Sequence, residues 1–150
     1  MMKTARALAL AITAHWGERD KADKLAIWHP MRVGLRAFRI GRETGDGLRA
    51  MAVGFLHDTV EDTEVTLAEI RAKFGDDIAD GVEAVTRHEE AETYKEFVHR
   101  SMKHRLGRIV KRADLLDNMN RDGPKTDPKW HPAMRVKWAR ALAWMDGRET

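Results

Sequence analysis

The chain has 150 residues, 43% of them hydrophobic and 34% charged, which suits one domain with a sizeable core and excludes a mostly disordered chain. It contains no cysteine, so a disulfide framework, a thiol nucleophile and a thiolate zinc site are all excluded. A net charge of +3 does not by itself argue for nucleic acid, and no apolar run approaches the roughly 20 residues that span a bilayer.

The first predicted element is a helix over Met2–His15, rich in the strong helix formers Ala and Leu. Its apolar start resembles a signal peptide only superficially. Arg6 interrupts it early and the run from Ala7 to Ala14 is short, so the expectation is a soluble, cytoplasmic protein. His29-Pro30 opens a second helix, with Val33, Ala37 and Ile40 at helical spacing and Arg32, Arg36, Arg39 and Arg42 forming a basic stripe. Gly41 to Gly47 reads as a turn. Leu48 to Val60 predicts a third helix, apolar on nearly every side as a central helix should be, with His57-Asp58 near its end.

Thr66 and Glu69 make a capping box that starts the next helix, which stops at Phe74-Gly75. Asp76 is expected to cap a helix over Asp77–Arg87. Helices over Thr93–His99 and Arg105–Met119 follow, and residues 120–128 form the one long loop, dense in turn residues. Pro132 to Met145 closes the chain as a helix, with Trp130, Trp138 and Trp144 expected to pack against the bundle or a subunit neighbour. Homo-oligomers are therefore possible. His88, His99 and His104 lie in polar surroundings and are expected to be exposed. No convincing strand, repeat or second domain interrupts the pattern, so residues 1–150 read as one domain.

The chemistry concentrates in two places. Residues 58–64 carry four carboxylates in seven positions, whereas residues 100–112 are strongly basic. Together they suit a cation held beside a polyanion, although two solvated helix faces would give the same pattern. His29, His57, Asp58 and Asp114 are ligands of the type that divalent first-row metals prefer. Glu61 follows His57 by four residues and Asp62 follows Asp58 by four, one helical turn beyond the candidate ligands. A carboxylate there could take a proton from a water whose pKa an ion has lowered. Lys111 and Arg112 could bind phosphate or simply face solvent, and Tyr94 could touch substrate or sit half-buried.

These segments resemble a known family. His29-Pro30, then residues 55–63 reading FLHDTVEDT, then Val110-Lys111-Arg112-Ala113-Asp114 and Asn118, are similar to the HD-domain hydrolases of the RelA/SpoT group. The small stand-alone alarmone hydrolases, including the metazoan SpoT homologue type, are the nearest in pattern. The resemblance implies an all-α HD-domain bundle holding one divalent metal, manganese, on His29, His57, Asp58 and Asp114. It also implies a cytoplasmic enzyme that removes the 3′-pyrophosphate of ppGpp or pppGpp, with Glu61 and Asp62 activating the attacking water. Asn118 would contact the nucleotide sugar. No synthetase domain fits in the remaining residues, so degradation without synthesis is expected.

Two positions depart from the family. Asp20 stands where the base-contacting arginine is expected and Ala26 replaces a tyrosine, whereas Lys21 is kept and Arg19 is a possible substitute. An aspartate cannot stack on a purine as a guanidinium does. That leaves two alternatives open: hydrolysis of another phosphorylated nucleotide such as NADPH, and a helical module that binds nucleotides without turnover.

Overall fold

A computed structural model describes residues 1–121 and 130–149, and among them the fold is all-helical. The helices are α1 (Met2–Ala14), α2 (Trp28–Gly41), α3 (Gly47–Leu56), α4 (Thr59–Asp62), α5 (Leu67–Phe74), α6 (Asp76–Val85), α7 (Tyr94–Lys103), α8 (Arg105–Asn118) and α9 (Trp130–Met145). A 3₁₀ turn over Arg42–Thr44 joins α2 to α3. Among the described residues no strand forms, and the pairing seen there is an isolated bridge between Arg19 and Leu25 in the loop after α1. No helix among the described residues is long and apolar enough to cross a membrane. Most of the loop expected at 120–128 lies outside the described residues, as does the side chain of Trp130.

Helix α3 occupies the centre, with α1, α2, α6 and α8 packed around it. Ala52, Val53, Phe55 and Leu56 are all buried, which bears out the apolar character read from this segment. The main core joins them to Val33 and Ala37 of α2, Val82 of α6, and Leu106 and Val110 of α8. A smaller core gathers Val98, Leu115, Trp138 and Ala141, fastening α9 onto α7 and α8. The expectation that Trp138 packs the last helix is therefore met.

Four local expectations need correction. The third helix does not run to Val60: it ends at Leu56, and a separate turn of helix begins at Thr59. The cause is local, because the Thr59 hydroxyl donates to the Leu56 carbonyl and His57 Nδ1 to the Gly54 carbonyl. Side chains thus satisfy carbonyls that a continuing helix would have used. Asp76 is not a cap but the first residue of α6, where it accepts from Arg71 instead. Helix α2 begins one residue before His29, leaving Pro30 still within the first turn, where no N–H is required. His104 is half-buried, and its Nδ1 accepts from the Gly107 N–H as the N-cap of α8.

Candidate active site

Three segments far apart in sequence deliver the predicted donors to one point. His29 comes from the start of α2, His57 and Asp58 from the break between α3 and α4, and Asp114 from α8. His29 Nε2 lies 3.2 Å from Asp114 Oδ1 and 3.7 Å from Asp58 Oδ2. His57 Nε2 lies 2.9 Å from Asp58 Oδ1 and 3.9 Å from Asp114 Oδ1. Donor atoms of His29, His57 and Asp114 all fall within 4.8 Å of one another, so these three buried residues could hold a metal ion. Two imidazoles and two carboxylates suit a divalent first-row metal.

The imidazoles are set up for such an ion. A carbonyl can only accept, so His57 Nδ1 carries the hydrogen that it donates to Gly54 O at 2.8 Å, and Nε2 is turned to the cluster. That buried Nε2 has no aligned hydrogen-bond partner among the described residues, which is what a nitrogen awaiting a metal shows. His29 Nδ1 donates to Asp117 Oδ2 at 2.8 Å, and Arg32 grips Asp117 through Nε and Nη2 at 2.9 and 3.0 Å. Carboxylates that orient a ligating histidine through its other nitrogen are a general feature of metal sites. Asp117 and Arg32 are contributions that sequence reading missed. The spacing of Asp117 from Asp114, three residues on one helix, was the available signal.

Charge in the cluster is balanced by protons when no cation is bound. Burial opposes charge on His57, yet Asp58 and Asp114 overcome it and raise the imidazole to about 9. Burial likewise opposes charge on His29, and Asp114 and Asp117 raise it. Burial would lift Asp58, but His57 beside it pulls the carboxyl down to about 2. Lys111, also buried, places Nζ 3.0 Å from Asp114 Oδ2; burial works against the ammonium and Asp114 outweighs it.

Glu61 and Asp62 stand at the rim of this cluster on α4. Glu61 Oε1 accepts from the Arg87 N–H. Desolvation and repulsion by Asp58 raise both carboxyls above their ordinary values, which improves each as a proton acceptor near neutral pH.

Two clefts meet over the donors, sharing His29, Asp58, Asn118, Arg121 and Trp138. One, about 240 Å³, is also lined by Glu61, Arg87, Tyr94, Lys111 and Asp114. The other, about 530 Å³, is lined by Asp62, Arg19, Asp20, Lys21 and Ala26. A larger hollow of about 850 Å³ lies beside α1 and α6 and contains none of these residues. Of the predicted substrate contacts, Arg19, Lys21, Asn118, Lys111 and Tyr94 line the joined clefts. Arg112 does not; its Nη1 pairs with Asp146 at 2.6 Å. Asn118 Nδ2 donates to Asp114 Oδ1, Arg121 Nη1 donates to Asn118 Oδ1, and Arg121 Nη2 reaches Asp20 Oδ2 at 3.4 Å. Asp20 Oδ1 accepts from the N–H groups of Ala22 and Lys24, so this carboxylate shapes its own loop.

The family model for the HD domain matches residues 26–119, which include all four clustered donors. The chain belongs to the HD domain family. Similar proteins include a guanosine-3′,5′-bis(diphosphate) 3′-pyrophosphohydrolase of Aquifex aeolicus, 31% identical over 121 residues, covering 76% of this chain and 17% of that protein. A probable enzyme of the same name from Synechocystis is 34% identical over 125 residues, with 76% and 16% covered. A GTP pyrophosphokinase of Streptomyces coelicolor is 33% identical over 122 residues, with 76% and 14% covered. The chain thus spans about one sixth of the length of the first two relatives. Among solved structures, a metazoan orthologue of SpoT, described as hydrolysing ppGpp, superposes with a TM-score of 0.78 at 22% identity. That match covers 97% of this chain and 85% of the other, and it establishes the HD fold.

Proposed function

We propose that residues 1–150 form one HD-type hydrolase unit that removes the 3′-diphosphate of a guanosine alarmone such as ppGpp. The observation that carries this reading is the convergence of His29, His57, Asp58 and Asp114 beneath two joined clefts, with Glu61 and Asp62 at the rim. The names of the full-length relatives support the same reaction. A divalent ion, manganese by family resemblance, would be held by those four residues, where it would neutralise phosphoryl charge and acidify a water.

The remaining chemistry belongs to the chain. Glu61, fixed by the Arg87 N–H, and Asp62 orient the attacking water and accept its proton. The water oxygen bonds to the phosphorus next to the ribose, and the bond from that phosphorus to the 3′ oxygen breaks. The 3′ oxygen takes up a proton, leaving GDP or GTP and pyrophosphate. Lys111 and Asn118 steady Asp114 while facing the cleft. Arg19 and Lys21 line the wall where the nucleoside would lie.

One observation favours a second reading within the same chemistry. The wall of the wider cleft holds Asp20 paired with Arg121, beside the small Ala26, so its base-facing surface is not a free guanidinium. A different phosphorylated nucleotide, such as NADPH, could be preferred there. Metal analysis and a side-by-side assay of ppGpp, pppGpp and NADPH, on wild type and Asp114→Ala, decide between them. Release of pyrophosphate from ppGpp by wild type alone supports the first reading, whereas intact ppGpp with manganese bound refutes it.

A further inference from the structure

Beyond the donor cluster, Tyr94, which lines the narrow cleft together with Arg87 and Lys111, carries a feature the reaction above does not explain, and Lys137 of α9 joins it without lining either cleft. Three cationic groups face the single ring of Tyr94. Lys137 Nζ of α9 lies 4.1 Å from the ring centroid, Arg87 Cζ lies 5.7 Å away and Lys111 Nζ lies 5.8 Å away. A tyrosine face attracts one cation modestly; it does not offset the mutual repulsion of three.

Carboxylates do not close the gap. Lys111 has Asp114, which already serves the donor cluster, and among the described residues Arg87 pairs with Glu89 alone, whose side chain is 77% exposed. Among the described residues no carboxylate lies within ion-pair distance of Lys137, although the side chain is half-buried. Burial, then Arg87 and Lys111, push its ammonium below the ordinary value, a sign of uncompensated positive charge. Arg87 Nε is buried and has no hydrogen-bond partner among the described residues. A guanidinium N–H left in that state is rare unless something binds there.

The arrangement is held from behind. Arg100 donates to the carbonyls of Glu83 and Thr86 and grips Glu92 through Nε and Nη2, which pins the loop that presents Arg87. Lys111 links the two regions, with Nζ 3.0 Å from Asp114 Oδ2, 4.5 Å from the Phe97 ring centroid and 5.8 Å from that of Tyr94. An anion reaching from the donor cluster along the narrow cleft toward Tyr94 would meet Lys111 and Arg87, which line it, with Lys137 over the same ring.

We propose that Arg87, Lys111 and Lys137, grouped around Tyr94, form an anion subsite that holds the diphosphate of the substrate and retains it as the pyrophosphate product. This rests on the reaction proposed above. Lys137 and Arg87 are its new members, contributed by α9 and by the loop before α7. Phosphate recognition by guanidinium and ammonium donors of this kind uses charge-assisted hydrogen bonds.

The test is calorimetric titration of inorganic pyrophosphate, with free metal held constant by a metal buffer, alongside steady-state turnover of ppGpp. Lys137→Met keeps the stem and removes the charge, Lys137→Arg restores it, and Lys95→Met, against Trp144 on the neighbouring face, is the control. Lys137→Met should weaken pyrophosphate binding about tenfold, equivalent to about 1.4 kcal/mol, and raise KM for ppGpp in parallel with little change in kcat. Arg87→Gln should act in the same direction, Lys137→Arg should stay near wild type and Lys95→Met should change nothing. Pyrophosphate binding unaltered in both Lys137→Met and Arg87→Gln overturns the subsite even if ppGpp is turned over normally. Weakened pyrophosphate binding in a protein that leaves ppGpp intact upholds the subsite and rejects the reaction instead.

Discussion

At His57 two demands meet: a nitrogen that must give up its proton to bind a metal, and carboxylates that make the proton hard to remove. With the imidazole raised to about 9, His57 is protonated at neutral pH when no metal is bound, and His29 is pushed the same way. Metal binding must then release at least one proton, so apparent affinity falls as pH drops below about 9, by about tenfold per unit for each proton displaced. Calorimetry of manganese binding in two buffers of different ionisation enthalpy measures that release; heats independent of buffer would contradict it. In the proposed reaction Glu61 has the opposite task, taking a proton. Glu61→Gln should lower kcat for ppGpp by about 10²–10⁴-fold while leaving bound metal near wild type, checked by turnover and metal analysis on the same sample. Of the donor and rim set, His57, Asp58, Glu61 and Asp62 stand out as one short string of ligand-type residues, whereas His29 and Asp114 join them in the sequence only through the family resemblance. Asp117, Arg32, Arg87 and Lys137 were not legible. Each is a charged residue indistinguishable from solvated surface until another element brings its partner across.

Elements explain why His29 and His57 can meet. Helices α2 and α3 cross with almost no space between backbones: a Cβ on Gly54 would lie 2.8 Å from Gly34 Cα, and one on Gly34 would lie 2.4 Å from the Phe55 ring. The two glycines set the separation of the helices, and His29 and the His57-Asp58 turn ride on those helices. Gly54→Ala gains about 1 kcal/mol of helix propensity but forces the helices apart, an overpacking cost of about 1–3 kcal/mol. The net expectation is a destabilised protein with reduced manganese affinity, followed by denaturant unfolding and calorimetry. Element boundaries were legible where they depend on local chemistry. The capping box at Thr66 and Glu69 forms as predicted, and Thr93 with Glu96 forms another. The break after Leu56 was not legible, because apolar continuity through this segment suggests one long helix. It is made by two side-chain bonds to backbone carbonyls that pattern alone does not reveal.

Seen across the whole molecule, the donors converge where α2, α3 and α8, which share the main core, come together. His29, His57 with Asp58, and Asp114 belong to α2, the α3–α4 break and α8, separated by tens of residues. An all-helical bundle could be read from periodicity, but its division into a main core and a smaller one under α9 could not, because both use the same apolar residue types. A cation at the junction would bind only the folded arrangement, since unfolding scatters its ligands. At a free concentration one hundred times Kd, such binding adds about 2.7 kcal/mol of stability. For a domain of about 150 residues that corresponds to a rise in Tm of roughly 5–10 °C. Manganese should therefore raise Tm by that amount over the chelator-treated protein, and scanning calorimetry at pH 8 reads it directly. The rise should shrink at pH 6, because protons on His57 and His29 compete for the same nitrogens, and it should vanish in His57→Ala even where the variant remains folded. A manganese-induced rise that survives His57→Ala undiminished would place the ion elsewhere and remove the physical basis for the proposed hydrolysis.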